Sequence, residues 1–281
     1  MKLYLVLALL VLLAGCTTSG GRTNTNNKNQ TIDESSTGIS SKELSIDMKD
    51  FPSTLSYGDT KYFNIITEAK KAVQDVRVQV YNLGSYLESS CSGITPIRNV
   101  AEGEKKEVSC SLKVTDQPLE DLSQEVFYEA TYKVNRYTSQ TSFKVYDHDE
   151  FDRENPAHES KSVDLDIGTL SLTNINVEEG QKVGLRLSLD GELATGDCGC
   201  NIERAVIKLP KGFTINGFSG WTQYTCGNFN CLEKRNIKTP LDAEADIAIS
   251  GIIKTNTFYV GAEISGVWKL ARGSNTIDVV K

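Results

Sequence analysis

Alternation decides most about this chain. Val183, Leu185, Leu187 and Leu189 take every second position of one stretch, and Val76, Val78 and Val80 do so in another. The runs Glu43–Met48 and Val163–Thr173 likewise interleave polar and apolar residues. A period of two sends one side chain into a core and the next into water, a pattern that suits a half-buried strand. Further runs at Tyr62–Thr67, Val73–Tyr81, Glu107–Val114, Val126–Val134 and Ser142–Tyr146 complete a first set. Arg204–Leu209, Phe213–Phe218, Asp246–Ile253, Phe258–Gly266 and Thr276–Val280 extend a second. Turn signals such as Tyr57-Gly58-Asp59 separate the runs, and only Glu68–Val73 hints weakly at helix. Many short strands with regular punctuation predict an all-β chain built as antiparallel sandwiches.

The two sets lie on either side of an acidic stretch. The expected organisation is therefore two immunoglobulin-like antiparallel β-sandwiches in tandem, at residues 43–147 and 162–281, joined by a linker at 148–161. Residues 17–41 contain almost no large apolar side chain. Such a segment cannot bury enough surface to offset its chain entropy, so residues 16–42 are expected to form a disordered tether. Asn29-Gln30-Thr31 within it is a glycosylation sequon.

Lys2 precedes an unbroken apolar run from Leu3 to Leu13. A run of that length is too short to cross a hydrocarbon layer of ~30 Å and fits the apolar segment of an export signal. It leads into Leu13-Ala14-Gly15-Cys16, which resembles the lipobox of bacterial and archaeal lipoproteins. The resemblance implies removal of residues 1–15 and a covalent lipid on Cys16. It also implies a chain held by that lipid at the outer face of the cytoplasmic membrane or in the cell envelope.

The formal net charge of −7 gives no support to a nucleic-acid partner, which calls for a clustered basic face, nor to adhesion to anionic lipid by charge alone. The only histidines, His148 and His158, sit in the linker, and neither an HExxH nor a Gly-x-Ser-x-Gly pattern occurs. No catalytic residue is designated on these grounds. Asp147, Asp149, Glu150 and Asp152 offer hard oxygen ligands for a calcium ion, but the pattern lacks the glycine and distal glutamate of an EF-hand loop. The plainer expectation is a solvated acidic linker with no cofactor.

Apart from Cys16, six cysteines remain: Cys91, Cys110, Cys198, Cys200, Cys226 and Cys231. An even number in an exported chain points to disulfides rather than to a thiolate zinc site. Cys91 and Cys110, alone in the first half, are natural partners, with the bridge expected to pin a loop to a strand. The small loop that a Cys198–Cys200 bond would close favours cross-pairing of these residues with Cys226 and Cys231, stapling the 191–200 loop over the turn at Trp221.

Ala205-Val-Ile-Lys-Leu-Pro-Lys-Gly-Phe213, followed by Gly220-Trp221 and by Cys226 and Cys231, is similar to a signature of immunoglobulin-like repeat domains in bacterial and archaeal surface proteins, including those related to cell adhesion. The resemblance implies a structural or adhesive module. Trp221 is expected to pack beside the sulfurs, and its functional alternative is a stacking platform for a sugar ring together with Tyr224 and Phe229. The function expected is that of a membrane-anchored surface lipoprotein serving binding, adhesion or envelope structure, with a surface protein or glycan as partner. The alternatives are an accessory subunit docking on an envelope complex and an enzyme acting on envelope glycans.

Overall fold

The computed structural model describes residues 42–92, 97–191, 193–251 and 254–281. The expected export signal, Cys16, Asn29 and the stretch up to Ser41 expected to be a tether lie outside the described residues. The first half contributes β1 (Leu44–Lys49), β2 (Thr54–Ser56), β3 (Thr60–Ala69), β4 (Val73–Tyr81), β5 (Leu87–Ser92), β6 (Ile97–Val100), β7 (Lys105–Val114) and β8 (Leu122–Tyr146). A short helix, α1 (His148–Glu154), follows. The second half contributes β9 (Ser160–Asp164), β10 (Gly168–Thr173), β11 (Asn176–Glu178), β12 (Lys182–Leu189) and β13 (Ile202–Pro210). It ends with β14 (Thr214–Gly217), β15 (Thr222–Cys226), β16 (Phe229–Ile237), β17 (Leu241–Ala248) and β18 (Asn256–Val280).

These strands form three sheets: β1-β3-β7-β5, then β14-β17-β12-β10-β9, and a shared sheet running β15-β16-β13-β18-β8-β4-β6. In the first two, alternation does what the sequence predicts. Leu44, Ile46 and Met48 of β1 are buried, as are Val183, Leu185, Leu187 and Leu189 of β12, while the residues between them reach toward water. The strand order of the first sheet is that of the four-stranded face of an immunoglobulin-like sandwich. The second repeats it with β9 added at one edge.

The shared sheet departs from a simple tandem arrangement. β8 and β18 are single strands of 25 residues each, paired antiparallel from Leu122 opposite Val279 to Val145 opposite Asn256. Beside the first half of β8 lies β4, and beside the first part of β18 lies β13. The tail of β18 pairs with β2 in parallel at Asp278–Val280, and the tail of β8 pairs with β11 in parallel at Lys144–Tyr146. Each half thus completes the other. Residues 267–280 of β18 lie beside the strands of the first half, and residues 136–146 of β8 lie beside those of the second. Ser142–Tyr146, which closes the first set when read along the sequence, therefore pairs with β18 and β11 of the second half, and Thr276–Val280 with β8 and β2 of the first. The expected boundary near residue 147 divides the sequence, while the sheets run across it.

The changeover is visible in which residues are buried. Along β8 the buried positions are even from Val126 to Val134 and odd from Tyr137 to Val145, with Asn135 and Arg136 exposed between them. Along β18 they are even from Val260 to Ile264 and odd from Ala271 to Val279. Gly266 stands at that switch with φ 63°, where a Cβ would come within 2.3 Å of the Glu203 carboxylate, so glycine is required on both counts.

Glu43 is fully buried at the changeover. Its carboxylate accepts from the Tyr137 hydroxyl at 2.7 Å, the Lys269 ammonium at 2.9 Å and the Tyr132 hydroxyl at 3.2 Å. Burial pushes this carboxyl's pKa up, but the hydrogen bonds from Lys269, Tyr137 and Tyr132 together with the Lys269 charge outweigh it and hold the group below its ordinary value. One acid thereby ties the entry to β1 to both long strands.

Two local expectations are corrected. Glu68–Val73 is not helical: β3 runs to Ala69 and β4 starts at Val73. The acidic stretch is a helix rather than a plain linker. Asp147 caps it, accepting from the Glu150 amide at 2.9 Å, and Asn155 ends it in a left-handed conformation. Asp147-x-x-Glu150 is the spacing of an N-terminal capping pattern, which is hidden when the segment is read only as a run of charge.

Candidate functional site

The feature that stands out is the outer face of the shared sheet in the second half. Residues directly opposite on neighbouring strands point to the same side, so register fixes who meets whom. One row runs Tyr224, Cys231, Lys208, Gly261 and Gln140 across β15, β16, β13, β18 and β8. Two residues away along each strand, Phe229 lies opposite Pro210 and Tyr259 opposite Ser142. Phe229 is 42% exposed and Tyr259 54% exposed. They flank a hollow of about 300 Å³ that also takes in Gln140, Lys208, Pro210 and Phe258.

Gly261 makes this hollow. Lacking a side chain between Lys208 and Gln140, it leaves a notch that the chain itself does not need, since an added Cβ would find no atom closer than 3.8 Å. Behind it the wall is made of packed rings. Phe258 packs against Phe213 at 4.7 Å between ring centroids and against Phe143 at 5.8 Å, and Phe143 meets Phe213 edge-on.

Two carboxylates organise the charges on the same face. Glu263 accepts from Lys208 at 2.7 Å and from Arg136 at 2.8 Å. Glu233 accepts from Arg204 at 2.8 Å, from the Tyr224 hydroxyl at 3.1 Å, and from Arg235. The Arg204 hydrogen bond, against an opposing push from burial and with help from Arg235 and Tyr224, holds the Glu233 carboxyl at about 2. Glu263 is likewise held below the ordinary carboxylate range, by the Lys208 hydrogen bond first, with burial opposing and Arg136 assisting. Both acids are therefore ionised at neutral pH, and four cations surround two anions. A second hollow of about 460 Å³, edged by Thr222, Tyr224, Glu233 and Arg235, adjoins this network.

The structure separates the three aromatic residues singled out in the sequence. Phe229 lines the first hollow and Tyr224 the second. Trp221 is partly buried, packed edge-on against Phe218 at 5.0 Å and against the core. Tyr259, Lys208, Gln140 and Gly261 were not anticipated. The only trace they leave in the sequence is a tyrosine and a glycine at solvent-facing positions of a strong alternating strand, Phe258–Gly266.

Cys91 and Cys110 are bonded as expected, but they sit directly opposite each other on neighbouring strands β5 and β7 instead of joining a loop to a strand. The other four cysteines do not cross-pair: Cys198 bonds Cys200, and Cys226 bonds Cys231. Gly199 at φ 67° turns the chain so that Cys198 and Cys200 have Cα atoms 5.2 Å apart, and Gly227 at φ 61° turns the β15–β16 hairpin that brings Cys226 and Cys231 to 5.9 Å. No staple therefore joins the 191–200 loop to the Trp221 turn. Asp197 from that loop instead reaches Arg77, at 2.7 Å.

The four carboxylates proposed for calcium do not converge. Asp147 is committed to the helix cap and the Thr255 hydroxyl, Glu150 lies 3.8 Å from Lys144, and Asp152 lies 3.8 Å from His148. Among the described residues no group of three or more His, Cys, Asp or Glu side chains is placed to hold a metal ion. His148 approaches Glu178 of β11 at 3.3 Å, and this contact, with the charges of Asp152 and Glu178, raises its pKa above the usual imidazole value.

No protein-family model matches the chain, and no curated protein does. Among solved structures it is similar to the secreted serine protease VesC from Vibrio cholerae, at 12% identity and a TM-score of 0.24 over 76% of this chain. The chain spans about half, 51%, of that protease. It is also similar to the collagen adhesin CNA from S. aureus, at 10% identity and a TM-score of 0.17, covering 88% of this chain and 97% of that one. A third likeness is to the C-terminal domain of the Streptococcus pyogenes antigen I/II-family protein AspA, at 9% identity and a TM-score of 0.17, covering 85% of this chain and 99% of that one. Likenesses this weak carry no argument about activity, and the all-β, immunoglobulin-like character of the chain rests on its own strand order.

Proposed function

We propose that this chain is an exported, lipid-anchored and non-catalytic binding module of the cell surface, and that the outer face of the shared sheet is its contact surface. The observation that carries the reading is the pair of exposed rings, Phe229 and Tyr259, flanking a notch that the fold leaves empty at Gly261. Three disulfides suit an oxidising compartment. Cys16 would carry the lipid, and adhesion or envelope organisation would follow from holding a partner at the membrane. A general acid must keep its proton near neutral pH, and Glu233 and Glu263 are both held ionised, which supports a binding role for this face over glycan hydrolysis. Docking on an envelope complex remains the second reading, favoured by the solvent-facing edge strand β15, whose residues Thr222–Thr225 are all exposed.

Two measurements test this. Intact mass of membrane-extracted protein should begin at Cys16 plus lipid, with six thiols open to alkylation only after reduction. Retention on immobilised envelope material should then be lost in a Phe229→Ser, Tyr259→Ser double variant. A mass that retains Met1 would remove the anchor from the reading, and unchanged retention would remove the contact surface.

A further inference from the structure

We propose that this face binds an extended acidic glycan, a chain of sugars carrying carboxylates, and the inference rests on reading the face as the contact surface. Three observations point to that class. The exposed rings of Phe229 and Tyr259 beside the Phe258 floor offer apolar surface to the C–H face of a pyranose, and the open notch at Gly261 gives the seat depth. Gln140, exposed in the same row, offers an amide to ring hydroxyls. Finally, Lys208, Arg136, Arg204 and Arg235 outnumber Glu263 and Glu233 on a face belonging to a chain of net charge −7.

The layout of these charges narrows the ligand further. Each carboxylate is shared by two cations, so the face holds two nodes with a modest surplus of positive charge. Glu233 and Glu263 both lie directly opposite Val206, on the strands either side of β13, so the two nodes are centred two strand spacings, about 10 Å, apart. Nodes so spaced suit carboxylates borne on separate rings of an extended chain. They are a poorer match for nucleic acid, whose phosphates follow one another closely and reward a continuous basic track.

The test is calorimetric titration of the full chain in detergent with hexagalacturonate, maltohexaose, hexaglutamate and a thymidine oligonucleotide. Hexagalacturonate should bind about tenfold or more tighter than each of the other three, a difference that shrinks as salt rises. A Lys208→Gln, Arg136→Gln double variant should bind hexagalacturonate no better than maltohexaose. Tyr259→Ser should weaken both sugars. Gly261→Ala is the control for folding: its Cβ meets nothing within 3.8 Å, so near-ultraviolet circular dichroism should be unchanged while hexagalacturonate binding weakens several-fold. Equal binding of hexaglutamate or the oligonucleotide, absence of hexagalacturonate binding, or indifference to the charge variants would overturn the proposal. Any of these alongside loss of envelope retention in the Phe229, Tyr259 variant would discard the acidic glycan and keep the contact surface. Preserved retention would discard both.

Discussion

Glu43 has no exposure to water, so its stability contribution depends on Tyr132, Tyr137 and Lys269. Removing one member of a buried pair leaves the other charge uncompensated, at a cost of about 3 to 5 kcal/mol. Lys269→Ala should therefore lower the unfolding free energy by about that amount in urea titrations, more than truncation of any exposed lysine such as Lys105. Because the Glu43 pKa is lower in the folded chain than the ordinary value of ~4.3, its contribution is complete above that value and is lost as pH falls through the folded one. Glu233 follows the same sign over a window that ends at about 2, so a carboxyl titration by NMR should find it ionised at pH 3. Arg204→Ala should move that midpoint upward. Neither acid is legible in the sequence. Glu43 reads there as the polar partner in an alternating strand, and Glu233 as one charge in a hydrophilic run, because burial and partner are properties of strands that meet from far apart.

Elements were legible where alternation was strong and hidden where another signal covered it. β12 and β4 are plain in the sequence, whereas β15 and β16 pass as a loop because Thr222–Cys226 and Asn230–Asn236 carry mostly polar side chains on an edge hairpin. Helix α1 was masked by its charges. Asp147→Ala removes the cap and should be seen as faster amide exchange across His148–Glu154. His148, whose pKa is raised by Glu178, holds α1 to β11 while protonated, so this tie is fully present below the unfolded value of ~6.5 and is lost as pH rises through the folded one. Gly266→Ala forces a Cβ onto the Glu203 carboxylate in a left-handed backbone and should lower the melting temperature, for about 1 to 2 kcal/mol from the backbone alone.

For the whole molecule, strand patterning predicted two sandwiches and gave no hint that two long strands run through both halves in a shared sheet. A period of two records that a residue faces a core and is silent about which core. The shared sheet predicts that cutting the backbone between Asn155 and His158 leaves the two pieces associated on a native gel, held by the long β8–β18 pairing. It also predicts that urea unfolding follows one transition for both halves, as β8 and β18 run through both and the buried residues form one continuous cluster. Two transitions, or separation of the cut pieces, would show that the halves stand alone. The same sheet sets an order of assembly. During synthesis, β8 emerges with a free edge beside it, and the strand that fills this edge, residues 267–280, follows only after the whole second half has been made. Until then the first half is an unfinished sheet with exposed backbone donors and acceptors, vulnerable to pairing with a neighbour. Val126–Val134, the stretch of β8 that waits for this partner, is therefore the segment most open to pairing between chains until synthesis is complete.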